Sequence, residues 1–206
     1  MKVKICGITT INDALMCAEA GADFIGLNFY PKSPRYLSRE RARQIASALR
    51  DLPKPPVLVG VFVNESAAAM KAALDECGLD LAQLSGDESE DVLHAMGERG
   101  FKAIRNHQLP ITNYQLLLFD AHAAGHFGGT GKTADWTLAA QLAKQCRLLL
   151  AGGLTPDNVA LAIGRVQPWG VDVASGVETA PGVKDRAKVF AFIKAAKDVS
   201  NSNSSL

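Results

Sequence analysis

The chain has 206 residues, 48% of them hydrophobic and 21% charged, with a formal net charge of +1. That length makes one domain the default, and the near-neutral balance argues against nucleic acid or an anionic membrane surface as a partner. No stretch of ~18 apolar residues is present, and the N-terminus opens directly on an apolar strand from Val3 to Ile5. Neither a membrane span nor a signal peptide is therefore expected, and the expected location is the cytoplasm. Cys6, Cys17, Cys77 and Cys146 are scattered, with no Cys-x-x-Cys pair and no cluster with His. Free thiols and no metal site are the expectation.

Short β-branched or apolar runs alternate with amphipathic stretches along the whole chain, the signature of parallel α/β architecture. The pattern predicts strands at 2–6, 23–28, 57–62, 80–84, 101–105, 115–120, 147–151 and 170–174. It predicts helices at 12–20, 38–50, 65–76, 88–98, 134–144, 156–164 and 184–198. Residues 106–113, with Pro110 inside, are too short and polar for a helix. Residues 1–199 thus read as one (β/α)8 TIM-barrel domain, smaller than the ~250 residues typical of that fold. Residues 200–206 read as a disordered polar tail. A doubly wound open sheet is the competitor, but it wants a Gly-x-Gly-x-x-Gly turn after its first strand, and Cys6-Gly7-Ile8-Thr9 stands there instead.

Alternation along the strands assigns faces. Val3 and Ile5, Leu117 and Phe119, and Val171 and Val173 fit the outward, helix-facing side. Lys4, Cys6, Asp120, Asp172 and Ala174 then point inward. Closing a barrel sets the first and last strands side by side, so Lys4 and Asp172 are expected to form an interior ion pair. Cys6 and Asp120, both inward at strand ends, suit a proton-transfer pair. A thiolate is a workable base, and a carboxyl in a partly dry site can serve as an acid. Each residue alone also reads as something plainer: a buried small hydrophobe, or a turn residue.

The loop after strand two holds Tyr30-Pro31-Lys32-Ser33-Pro34-Arg35, stiffened by two prolines. Arg35 there reads either as a bidentate partner for a substrate carboxylate or as a solvated surface cation. Strand seven ends in Ala151-Gly152-Gly153-Leu154 and strand eight in Ala174-Ser175-Gly176-Val177. Bare backbone N–H groups in glycine loops at these two strands are where barrels often hold phosphate, although tight turns alone would explain either pair. Gly128 to Thr133 imitates a nucleotide P-loop, but the motif needs Gly where His126 stands. A loop over the active site is the expectation for that run.

With these motifs in hand, the chain resembles the phosphoribosylanthranilate isomerases of tryptophan biosynthesis. The segments that carry the resemblance are Lys4-Ile5-Cys6-Gly7-Ile8-Thr9, Asn28-Phe29-Tyr30 with Ser33-Pro34-Arg35, and Gly60-Val61-Phe62-Val63. Further along come Gly128-Gly129-Thr130-Gly131 with Asp135-Trp136, then Ala151 to Leu154, and Val171-Asp172-Val173 with Ser175-Gly176-Val177-Glu178. The resemblance implies a (β/α)8 barrel and a cofactor-free Amadori rearrangement of a small substrate bearing phosphate and carboxylate. It implies Cys6 as general base, Asp120 as general acid, Arg35 on the carboxylate, and Gly152, Gly153, Ser175 and Gly176 on the phosphate. Gln83 is placed among the substrate-binding residues. Ser85 stands where the family usually has His, a change expected to tune orientation and not abolish turnover. A phosphate-sugar epimerase would want His and Asp ligands at several strand ends, and an indole-glycerol-phosphate synthase would want inward lysines beyond Lys4. A barrel that binds without turnover is the rival of a different class. A monomer is the expected state.

Overall fold

A computed structural model describes residues 1–105, 115–120 and 136–202, with side chains through Val199. Eight parallel strands close into a barrel in chain order. They are β1 (Lys2–Cys6), β2 (Phe24–Asn28), β3 (Val57–Phe62), β4 (Leu81–Leu84), β5 (Gly100–Ile104), β6 (Leu116–Asp120), β7 (Arg147–Ala151) and β8 (Gly170–Val173). The described helices are α1 (Ile11–Glu19), α2 (Arg39–Arg50), α3 (Ala67–Cys77), α4 (Glu90–Met96), α5 (Trp136–Ala143), α6 (Val159–Val166) and α7 (Arg186–Ser202). The TIM-barrel expectation holds, and each predicted strand falls within a residue or two of its place. The expectations for 106–113 and for the 128–133 loop lie outside the described residues. Of the tail expected at 200–206, residues 200–202 continue α7 to Ser202, and the rest lies outside the described residues.

Helix starts are set by capping hydroxyls. Thr10, Ser38 and Ser66 accept hydrogen bonds from the backbone N–H of Asp13, Arg41 and Ala69. Each satisfies a donor that the first turn leaves without a partner. The helices expected from residues 38 and 65 therefore open at Arg39 and Ala67, just past their caps. The helix expected from 156 opens later, at Val159. Asn158 accepts from the Thr155 N–H at 2.8 Å and donates to the Gly153 carbonyl at 3.0 Å, holding 155–158 as a separate turn. After β8 comes an element that strand alternation did not foresee. It is a small hairpin of β9 (Glu178–Ala180) and β10 (Val183–Lys184).

The core is two-layered. Val3, Ile5, Leu117, Phe119, Val171 and Val173 pack outward against the helices. Phe24, Val59, Phe101, Leu118, Leu149 and Ala151 fill the barrel interior, as alternate faces of a closed parallel sheet must. No described helix is long and apolar enough to cross a membrane.

The closing seam carries the charge pair that alternation predicts. The β1–β8 register sets Lys4 beside Asp172, and Lys4 Nζ donates to Asp172 Oδ1 at 2.7 Å with the lysine fully buried. Burial alone would lower the Lys4 pKa. The negative charges of Asp172 and Cys6 outweigh it and hold the ammonium above its ordinary value.

A buried pair is hard to break from one side. Asp172→Asn is expected to lower unfolding free energy by about 3–5 kcal/mol in urea titrations. Replacing both partners by apolar residues should recover most of that loss. The contribution of Lys4 is complete below its unfolded value of 10.5. It is lost as pH rises through the raised native value, so stability should fall on the strongly alkaline side.

Candidate active site

Cys6 is the last residue of β1, half-buried, on the same face as Lys4. Its register partner on β2 is Gly26. A Cβ at Gly26 would lie 2.8 Å from Cys6 Sγ and 3.2 Å from Lys4 Nζ. The missing side chain is thus the space that thiol and ammonium share.

Around the ring, a cavity of about 500 Å³ opens at the carboxyl ends of the strands. Its walls include Gln83, Ser85, Lys102, Asp120, Ala151 and Asp172. Asp120 ends β6 half-buried and inward, next to Ala151 of β7. Gln83 Nε2 donates to Ser85 Oγ at 3.0 Å, while its Oε1 is buried without a hydrogen-bond partner. An unmet buried acceptor costs roughly 1–3 kcal/mol, so this oxygen is an invitation to a donor on a ligand. Asp172 joins the two halves of the site. It lines this cavity and holds Lys4, which stands beside Cys6.

Two features of the rim had no signal in the sequence. Glu88 accepts from the backbone N–H groups of Asn64 and Gly86 and from Lys102 Nζ, the last at 2.6 Å. Its side chain is 1% exposed. It pins the loops after β3 and β4 to β5. Lys102 has the strand parity of Ile104, yet its stem carries the ammonium to the cavity wall, where Glu88 and the Gly86 carbonyl hold it.

The second feature concerns Arg35. The loop that carries it is shaped by Asn28, whose Oδ1 accepts from the Tyr30 N–H, and by Ser33, whose Oγ accepts from Asn28 Nδ2 and the Arg35 N–H. The guanidinium is not a free surface cation, although its side chain stays 21% exposed. Its Nε and Nη2 donate to Glu178 at 2.9 and 2.6 Å, so the bidentate carboxylate partner foreseen for Arg35 is here a side chain of the hairpin. Neither Arg35 nor Cys6 lines the cavity that holds Gln83 and Asp120. They flank it on the β1–β2 side.

The glycine loops behave as backbone devices. Gly152 and Gly153 have φ of 96° and 65°, left-handed values that other residues rarely adopt. At Gly176 a Cβ would sit 1.9 Å from the Leu154 carbonyl oxygen, so the loops after β7 and β8 pack directly on each other. Ser175 is exposed at the start of a short 3₁₀ turn, Ser175–Val177. Among the described histidines, His94 is exposed on α4, away from the strand ends.

This layout is that of a (β/α)8-barrel enzyme with its site at the carboxyl ends of the strands. The family model for N-(5′-phosphoribosyl)anthranilate (PRA) isomerase matches residues 3–195, and the chain belongs to that family. It is 50% identical over 204 residues to the N-(5′-phosphoribosyl)anthranilate isomerase of Geotalea uraniireducens, covering 95% of this chain and 98% of that one. The crystal structure of phosphoribosyl anthranilate isomerase from Thermotoga maritima superposes with a TM-score of 0.84 at 40% identity, over 96% of this chain and 99% of the other. A second crystal structure holds such an enzyme in complex with reduced 1-(o-carboxyphenylamino)-1-deoxyribulose 5-phosphate. It superposes with a TM-score of 0.81 at 39% identity, over 96% and 99% of the two chains.

Three of the four thiols are pushed up by burial: Cys17 to about 12, Cys77 and Cys146 above their ordinary value. Limiting iodoacetamide near neutral pH should therefore alkylate Cys6 first, read by peptide mass spectrometry. A carboxylated sugar phosphate bound at the site should slow that labelling. Preferential labelling of Cys146 would remove Cys6 from the open mouth.

Proposed function

We propose that this chain catalyses the Amadori rearrangement of N-(5-phosphoribosyl)anthranilate to 1-(2-carboxyphenylamino)-1-deoxyribulose 5-phosphate, with Asp120 as general acid and Cys6 as general base. The observation that supports this reading most is the arrangement around Asp172. One carboxylate borders the cavity that contains Asp120 and also binds the ammonium beside the Cys6 thiol. In this reading acid and base stand on either side of Asp172, on strands well apart in the ring, with Cys6 flanking the cavity that Asp120 lines.

The chemistry runs on protons alone. Asp120 gives a proton to the ring oxygen as the C1′–O bond breaks, leaving an iminium. The cationic imine acidifies the C2′ hydrogen, which the Cys6 thiolate removes. The enolamine then takes a proton at C1′ and releases the one on its C2′ oxygen, leaving a ketone. Each proton-transfer group contributes typically 10²–10⁴-fold when it is within reach of its proton. No cofactor enters the scheme.

The remaining residues bind. Arg35 takes the anthranilate carboxylate, and the backbone of Gly152, Gly153, Ser175 and Gly176 takes the phosphate. The open acceptor of Gln83 takes a sugar hydroxyl or the anilinic N–H. Ser85, bonded to Gln83, orients that amide and does not titrate near neutral pH. A monomer is the working state this reading expects. Among the structural relatives, one is described as monomers generated from the dimeric Thermotoga maritima enzyme. The reading places the enzyme in the cytoplasm.

Cys6→Ser and Asp120→Asn should each lower turnover at least about a hundredfold at unchanged fold. Activity retained in either variant removes that residue from its role. Ser85→His should shift turnover only modestly. A thousandfold gain would mean that acid and base are assigned to the wrong side chains.

A further inference from the structure

The hairpin after β8 places two charges where nothing in the proton-transfer scheme calls for them. Glu178 and Lys184 are six residues apart, with side chains 4% and 0% exposed. Lys184 Nζ spends its three donors on Glu178 Oε1 at 2.7 Å, the Cys6 carbonyl at 2.7 Å and the Ala174 carbonyl at 3.2 Å. It therefore ties the end of β1 to the end of β8, one step beyond the last register pair, Ile5 and Val173. Glu178 Oε1 also accepts the Gly182 N–H at 3.2 Å, and both its oxygens accept from Arg35.

The geometry at Arg35 gives this network a direction. A guanidinium has five donors in a rigid fork. Glu178 takes the Nε/Nη2 edge, which leaves the Nη1/Nη2 edge for a second, parallel carboxylate. The stem of Arg35 lies on Gly7, where a Cβ would come within 2.3 Å of Arg35 Cδ. Gly7 also has φ of 73°, so that position needs glycine twice over. Two cations and one anion leave the trio with one uncompensated positive charge, largely out of water. Arg35 is pushed up first by its hydrogen bonds to Glu178, with the Cys6 charge adding to it. Burial would raise Glu178, but Arg35 and Lys184 hold it below the usual carboxylate range.

We propose that Glu178 and Lys184 are positioning residues for the carboxylate subsite: Glu178 aims Arg35 by its inner edge, and Lys184 locks Glu178 to the Cys6 backbone. The proposal rests on the rearrangement read above, and on Arg35 as the carboxylate anchor. Neither residue touches the reacting atoms. Together they fix the distance between the point that grips the anthranilate carboxylate and the thiol that takes the C2′ proton. A misaimed grip misplaces the sugar at the thiol, because proton transfer depends on near-contact geometry.

The test compares two substrates on the full-length protein: phosphoribosylanthranilate and its carboxylate-free analogue prepared from aniline and ribose 5-phosphate. Glu178→Gln should raise KM for the carboxylated substrate about tenfold, the size of one misplaced charge-assisted contact. KM for the analogue should stay as in the unaltered enzyme. Glu178→Gln strands Lys184 in the interior, so the double variant Glu178→Gln/Lys184→Met, which leaves only the partly exposed Arg35 charged, gives the same comparison without an unpaired ion at the fully buried lysine position. It should lose the same substrate discrimination and, with the Cys6 carbonyl released, lower kcat on both substrates. Equal KM changes on both substrates, or unchanged discrimination in a folded variant, overturns the proposal and leaves the pair a plain strut. Failure of the unaltered enzyme to turn over phosphoribosylanthranilate would instead overturn the functional reading.

Discussion

A lysine with no exposed surface closes this barrel. Lys4 sits at the seam where β1 meets β8, and its carboxylate partner among the described residues is the register neighbour Asp172. Net stabilisation is not what such a pair offers, since desolvation of two ions offsets most of their attraction. Its effect is to make one register of the last closure far better than any other. A one-residue slip would turn Asp172 outward and leave a bare ammonium inside. The same register that satisfies Lys4 places Cys6 at the mouth, because both lie on one face two residues apart. Closure of the fold and placement of the thiol are thus one requirement.

That coupling explains why much of the site was legible in the sequence. Strand alternation needs only local hydrophobic contrast, and β1, β6 and β8 show it cleanly: Val3/Ile5, Leu117/Phe119 and Val171/Val173 outward, with the polar residues between them. From parity and the adjacency of first and last strands, the Lys4–Asp172 contact follows without any structure. Ser38 and Ser66 shift the expected helix starts by only a residue or two, because a capping side chain and the first turn it serves are sequence neighbours. The late start of α6 was not legible, because Asn158 could cap a helix or close a turn, and only its bond to Gly153 decides.

Glu178, Lys184, Glu88 and Lys102 were missed for a different reason. Each is a charged residue, Lys102 in the middle of β5 and the others in or beside turns, and on composition alone such residues read as solvated. Their burial depends on partners far away in the chain. Arg35 meets Glu178 across 143 residues, and Lys184 meets the Cys6 carbonyl across 178. No local period encodes those meetings. The only trace was Glu178 at the end of a segment shared with a known family, with no physical role attached to it. Arg35 shows the corresponding limit: its loop was read as stiff and aimed, but the carboxylate it already holds could come only from coordinates.

At three positions of the site glycine has a use that its usual association with flexibility conceals. Gly26 leaves room for Cys6 Sγ and Lys4 Nζ, Gly7 for the stem of Arg35, and Gly176 for the Leu154 carbonyl. Each omitted side chain lets a functional group, or the loop beside it, come closer than any Cβ would permit. The cations then follow an order. Lys4 lies below the thiol, Lys184 holds its carbonyl from the hairpin, and Arg35 stands beyond, each balanced by Asp172 or Glu178 save for one charge. Within the trio of Arg35, Glu178 and Lys184 the excess charge falls on Arg35, the most exposed of the three, because Lys184 spends its three donors inside the fold while Glu178 takes only one edge of the guanidinium.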